Sequence, residues 1–179
     1  TKVWWTNLAD PASALAASLK RMQLDHVDLF LVHWPNPAIP LAPTLAAMEV
    51  LKERGLARAI GVANFPAALL QEAVATGAPI ACNQIEYHVM LSQEPVLRVA
   101  RANDIAVTAY SPLGKGGLAD DPALAEIGHR HGATGAQVAL AWLLDQDGVA
   151  AIPKSGRAAN MRANLAALDL RLTNEDRVA

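Results

Sequence analysis

Short apolar runs, separated by segments of helical period, recur along the whole chain. Val27–Val32, Ala57–Val62, Ile80–Ile85, Ile105–Ala109 and Val149–Ile152 are such runs, and Lys2–Trp4 reads as a shorter one. They do not alternate apolar with polar residues, the pattern of parallel strands covered by helices. Between them lie segments with helical punctuation. Asp10-Pro11 offers an N-cap and a proline at the first helical position, and the helix predicted from there to Met22 puts Leu15, Leu19 and Met22 on one face. After the proline-rich stretch from Pro35 to Pro43, a helix is predicted over Thr44–Arg54 and stopped by Gly55; the next runs from Pro66 to Thr76 and stops at Gly77. Further helices are predicted over Gln93–Asn103, Pro122–His131, Thr134–Asp145 and Ala158–Leu165.

Strand and helix therefore alternate, which predicts the α/β class and a single domain over residues 1–179 with six βα units. Such a chain could be an open doubly wound sheet or part of a (βα)8 barrel. Gly114-Lys115-Gly116-Gly117 lacks the spacing of a dinucleotide-binding glycine fingerprint, and there is no P-loop, which favours an incomplete barrel.

Composition narrows the function. With 15 basic and 17 acidic residues the formal charge is −2, so no basic surplus calls for nucleic acid or an anionic membrane. Cys82 is the only cysteine, which excludes an internal disulfide and a cysteine-rich zinc site and fits a reducing, cytoplasmic setting. It lies in an apolar run and reads as a buried thiol. The apolar stretches are too short to span a bilayer, and no His/carboxylate spacing suggests a metal.

Chemistry collects at the strand ends. Val27–Val32 delivers His33-Trp34-Pro35, and the other strands end in Lys2, Asn64, Gln84 with Glu86 beyond, Tyr110-Ser111, and Lys154-Ser155. If the strands are parallel, these groups gather on one face, where barrel enzymes place their sites. Taken singly, each has a plainer reading. Lys2 reads as a surface lysine, Asn64 as a turn residue, Tyr110 as core, Trp4 and Trp34 as packing or pocket wall, His88 as loop surface, and His129 and His131 as a solvated helix end.

The ordered set resembles the aldo-keto reductases: TKVW at Thr1–Trp4, VDLFLVHWP at Val27–Pro35, IGVANF at Ile60–Phe65, NQIEY at Asn83–Tyr87, AYSPLG at Ala109–Gly114 and IPKS at Ile152–Ser155. The resemblance implies strands three to eight of a (βα)8 reductase that uses NADPH, with NADH as the weaker alternative, to reduce an aldehyde or ketone, sugar-derived dicarbonyls included. It implies Lys2 and His33 as two of four catalytic residues, the Asp and Tyr lying outside this chain. Trp4, His33 and Trp34 would meet a small carbonyl substrate. Asn64 and Gln84 would bind the nicotinamide carboxamide, and Tyr110 would stack on its ring. Ser111, Leu113 and Gly114 would lie over the pyrophosphate, Lys154 and Ser155 would take the 2′-phosphate, and Asn164 would contact adenine.

Three positions depart from the family's pattern. Ala63 stands where many members have a carboxamide-binding serine, Asn160 where NADPH users often carry an arginine (Arg157 or Arg162 could substitute), and Ala163 replaces a frequent glutamate. The resemblance further implies a monomeric parent enzyme, and a 179-residue chain that alone, without closure of its barrel, would aggregate and be inactive. Two other readings stay open on the sequence: a barrel enzyme using Lys2 or Lys154 as a Schiff base, and a cofactor-binding member of the fold without turnover.

Overall fold

The computed structural model describes residues 1–178. Its strands are β1 (Lys2–Val3), β2 (Val27–Val32), β3 (Ala57–Ala63), β4 (Ile80–Glu86), β5 (Ala106–Tyr110) and β6 (Val149–Ala151). The helices are α1 (Pro11–Met22), α2 (Leu41–Glu53), α3 (Ala67–Ala75), α4 (Glu94–Ala102), α5 (Pro122–Arg130), α6 (Gly135–Leu144), α7 (Ala158–Ala166) and α8 (Asn174–Val178). The strands form one sheet in chain order, as successive βα units dictate. Tertiary contacts divide the chain into two compact units, Thr1–Ile85 with Glu94–Val107, and Glu86–Gln93 with the residues from Thr108 onward.

In the first unit β1 to β4 pair in parallel. Lys2 lies opposite Leu31, Val27 opposite Ala57, and Ala63 opposite Gln84. The register slips between Ile60 and Val62, and Gly61 makes the slip possible. A Cβ at that position would stand 2.4 Å from the Cys82 carbonyl oxygen and 2.9 Å from Leu31 Cδ2, so only glycine lets the two backbones approach this closely. Phe30, Ile60 and Val62 are fully buried, as are Leu15, Leu45, Met48 and Leu70 from the covering helices. Cys82 is buried in β4, as expected.

The second unit has its own apolar cluster of Leu118, Leu124, Ile127, Val138, Ala139 and Leu172, with Trp142 packed against it. Its helices are capped by their own sequence. The Asp121 carboxylate accepts from the Ala123 and Leu124 N–H groups at 3.0 Å, and Thr134 and Gln137 form a reciprocal capping box. β6 joins β5 where the Ile152 N–H donates to the Ala109 carbonyl at 3.0 Å.

Several expectations are corrected. β1 ends at Val3, leaving Trp4 outside the strand and 47% exposed. α2 begins one turn early at Leu41, because Pro43 sits in the first turn, where its missing N–H would have had no partner. Met22 does not join Leu15 and Leu19 in the core and is 42% exposed, being the last residue of α1 before the left-handed Gln23 that caps it. The short α8 was not expected.

Candidate functional site

The four strand ends of the first unit are stitched by hydrogen bonds in strand order. The His33 N–H donates to the Val3 carbonyl at 3.0 Å, the Asn64 side-chain amide donates to the His33 carbonyl at 2.8 Å, and the Asn64 N–H donates to the Gln84 carbonyl at 2.9 Å. Val3, His33, Asn64 and Gln84 are thereby joined in one row, with Lys2 one residue before Val3 and opposite Leu31. Asn64 sits in the left-handed region at φ +63°, which asparagine tolerates better than most residues. That conformation bends the chain out of β3 and turns the amide back towards β2.

His33 is partly exposed, and the Trp4 ring meets its imidazole edge-on, with centroids 5.0 Å apart at 74°. Loss of water contact, reinforced by the positive charge of Lys2, holds the His33 pKa below its ordinary value. The imidazole is therefore neutral near pH 7, with one N–H to donate. Trp34, the other expected pocket residue, is 44% exposed.

Sequence reading passed over Asn83, although it stands inside one of the quoted motifs. It is fully buried, and its amide donates to the Phe65 carbonyl at 2.9 Å, which fastens the turn that carries Asn64. Its Oδ1 is buried without a hydrogen-bond partner among the described residues.

The second unit holds a cavity of about 650 Å³ at the ends of β5 and β6. Of the residues expected there, Ser111, Leu113, Lys154, Ser155 and Asn164 line it; Gly114 lies in the same loop, between lining residues. Asn160 and Ala163, two of the departures, line it as well, whereas Arg157 and Arg162 do not. No carboxylate is in the lining, although the chain as a whole is acidic. The donor set is ammonium, hydroxyl and amide, and it fits the phosphates and ribose of a dinucleotide. Ser155 is shaped for a turn, its hydroxyl accepting from the Arg157 N–H at 3.1 Å. Tyr110, at the end of β5, has its pKa raised by burial and by the charge of Glu86, so its ring stays neutral.

Two histidines depart from expectation. His88 is not loop surface: its side chain is 14% exposed, with Nε2 3.9 Å from the Glu86 carboxylate and Nδ1 buried without a partner among the described residues. His131 is not solvated either; its Nε2 lies 2.7 Å from the Asp176 carboxylate, which also accepts from Arg130 at 2.6 Å. Among the described residues no group of three or more His, Cys, Asp or Glu could hold a metal, and no helix is long and apolar enough to cross a membrane.

Comparison with known proteins accords with this geometry. The sequence profile of the Aldo/keto reductase family matches residues 9–178. A methylglyoxal reductase, DkgB, of Salmonella typhi is 40% identical over all of this chain and 69% of its own length. A thermostable aldo-keto reductase crystallised with the inhibitor epalrestat superposes with a TM-score of 0.93 at 42% identity, over 99% of this chain and 68% of that one. An aldo/keto reductase from Klebsiella pneumoniae, crystallised with NADP and acetate, gives a TM-score of 0.93 at 33% identity, over 99% and 66%. With these neighbours, the six βα units stand as part of a (βα)8 barrel.

Proposed function

This chain belongs to the aldo/keto reductase family, and on that premise we propose that it serves the NADPH-dependent reduction of small aldehydes and ketones, dicarbonyls of the methylglyoxal type foremost. The Schiff-base alternative loses its ground with the family match. What supports the cofactor is the carboxylate-free cavity of the second unit and the NADP bound by the Klebsiella relative.

Bound NADPH supplies a hydride to the carbonyl carbon, and a proton must reach the oxygen for an alcohol to form. His33, neutral and flanked by Trp4, donates its N–H to that oxygen and orients the carbonyl. Lys2 places an ammonium beside the proton donor, a tyrosine outside these residues, whose hydroxyl has an ordinary pKa of about 10 and is a weak acid unless a cation favours its phenolate. Turnover therefore needs that tyrosine.

Asn64 and Gln84 hold the carboxamide and so select the face of the ring that meets the substrate, with Tyr110 stacked against it. Ala63 offers no hydroxyl here, a loss of about 1 kcal/mol for one hydrogen bond. Ser111, Leu113 and Gly114 cover the diphosphate. Lys154 and Ser155 take the 2′-phosphate, and Asn164 meets the adenine. Trp4 and Trp34 wall the substrate side.

The observation that carries this reading is the stitched row of His33, Asn64 and Gln84. The test is NADPH oxidation with methylglyoxal, followed in the natural protein that contains this sequence, alongside NADPH titration of the chain itself. The expected result is turnover that His33→Gln lowers at least tenfold in kcat/KM with little change in NADPH affinity. Absence of both turnover and NADPH binding would refute the proposal.

A further inference from the structure

Glu86 closes β4 among the polar strand ends, yet the reaction above gives it no task. It belongs neither to the stitched row nor to the lining of the 650 Å³ cavity. Its place is set by the backbone. The Tyr87 N–H donates to the Tyr110 carbonyl at 3.4 Å, between the adjacent strands β4 and β5. The equivalent bond from the Asn64 N–H to the Gln84 carbonyl goes with a register in which Ala63 lies opposite Gln84. By the same geometry Glu86 lies opposite Tyr110, and opposite residues of neighbouring strands send their side chains to one face. The phenol senses this neighbour, since the charge of Glu86 joins burial in raising the Tyr110 pKa.

The carboxylate is held in place and left uncompensated. The Gln93 side-chain amide donates to the Glu86 carbonyl at 2.7 Å, and the Leu91 N–H donates to the His88 carbonyl at 2.9 Å, so the loop after β4 is closed on itself. Among the described residues no lysine or arginine pairs with the Glu86 side chain, which is 33% exposed. Its one basic neighbour is His88, with Nε2 3.9 Å away, beyond hydrogen-bond reach. The buried Nδ1 of His88 has no partner among the described residues, so an N–H there would be left unsatisfied. The neutral imidazole therefore carries its one proton on Nε2, the nitrogen that faces Glu86, and adds no charge of its own.

A fixed negative charge opposite an aromatic ring gains a meaning when that ring carries the nicotinamide. The reduced form presents a neutral dihydropyridine. Loss of the hydride, whose electron pair passes to the carbonyl carbon, leaves a pyridinium cation. We propose that Glu86 is the electrostatic partner of the nicotinamide stacked on Tyr110 and favours the oxidised, cationic ring over the reduced, neutral one. The inference rests on the stacking role given to Tyr110 above and adds to it a residue that acts through space, touching neither cofactor nor substrate. Positive charge that develops on the ring during hydride transfer then meets a carboxylate already in position.

The phosphates and the adenine are the same in both forms of the cofactor, so the ratio of the two affinities reports on the ring. The test is separate titration of NADP+ and NADPH by tryptophan fluorescence or calorimetry, at about pH 8, above the ordinary histidine value. It compares the natural protein that contains this sequence with its Glu86→Gln, Glu86→Ala and Glu86→Asp variants, with circular dichroism as the control for folding. Glu86→Gln is expected to raise the Kd of NADP+ relative to that of NADPH by about three- to tenfold, the size of one partly screened charge pair. Glu86→Ala should do the same, and it decides the matter should the glutamine variant fail to fold. Glu86→Asp keeps the charge and should keep most of the ratio. Equal weakening of both forms, the mark of a merely structural role, overturns the proposal, and so does an unchanged ratio. If the natural protein binds neither form, the dinucleotide reading fails and this inference with it. If it binds both and the ratio does not move, this inference alone falls.

Discussion

The side-chain amide of Asn64 donates to the main-chain carbonyl of His33 across 2.8 Å, so the residue proposed to hold the cofactor also braces the residue proposed to hold the substrate. Its left-handed backbone and its amide can be tested apart. Asn64→Gly keeps the conformation and loses the bond, at a cost of about 1 kcal/mol. Asn64→Ala loses the bond and adds backbone strain, for about 2 kcal/mol in all. Denaturant midpoints should rank wild type, Gly and Ala in that order, while both variants bind NADPH more weakly.

The proton affinity of His33 gives a signed pH dependence. Burial and Lys2 lower its pKa in the folded state, so the unfolded chain binds the proton more tightly. Its neutral form favours folding fully above about pH 6.5, the ordinary histidine value. That contribution is lost as pH falls from there towards the depressed folded value. Chemical denaturation between pH 7 and pH 5 should show a falling stability whose slope is shallower in His33→Gln.

Gly61→Ala should be among the most damaging single methyl additions in the chain. The new Cβ would meet the Cys82 carbonyl oxygen at 2.4 Å, and backbone cannot yield as a side-chain tip can. A loss of about 3 kcal/mol or more is expected. Gly156→Ala, with open space around the added methyl, is the control and should leave the thermal midpoint unchanged.

Asp176 anchors the C-terminal helix. The Thr173 N–H, followed by His131, holds its carboxyl well below the usual carboxylate range. A depressed carboxylate pKa stabilises the fold above the ordinary value near 4 and loses that effect as pH drops through the folded value. Asp176→Asn should therefore lower the melting temperature at pH 7, and the difference from wild type should shrink in acid.

Much of this was legible in the sequence because strand ends and helix caps are local signals. Asp10, Asp121 and Thr134 mark helix starts with side chains that reach only two or three residues ahead. The row at the ends of β1 to β4 follows from apolar runs that stop at a polar residue. What escaped depends on distant partners. His131 looked solvated because Asp176 lies 45 residues away, and His88, only partly exposed, sits where the chain folds back to bridge to Leu91, which no periodicity announces. Asn83 escaped because an asparagine inside an apolar strand gives no sign of which carbonyl it will meet. Lys115 stood in a glycine cluster whose spacing fits no phosphate fingerprint, and its place in the cavity came only from the turn of the loop.

The strand that carries Lys2 is two residues long, and its pairing with β2 rests on Lys2 opposite Leu31 and Val3 opposite Val32. Such a ladder opens locally at far less cost than the whole unit. Lys2 can thus leave its register with Leu31 while Phe30 and Ile60 stay packed. Amide exchange should be faster at Leu31 and His33, whose N–H groups donate to Thr1 and Val3, than in the paired interior of β3. Mild denaturant should then free Lys2 from its place beside His33 while the paired interior of β3 still holds, so that the charge next to the imidazole is lost before the unit melts.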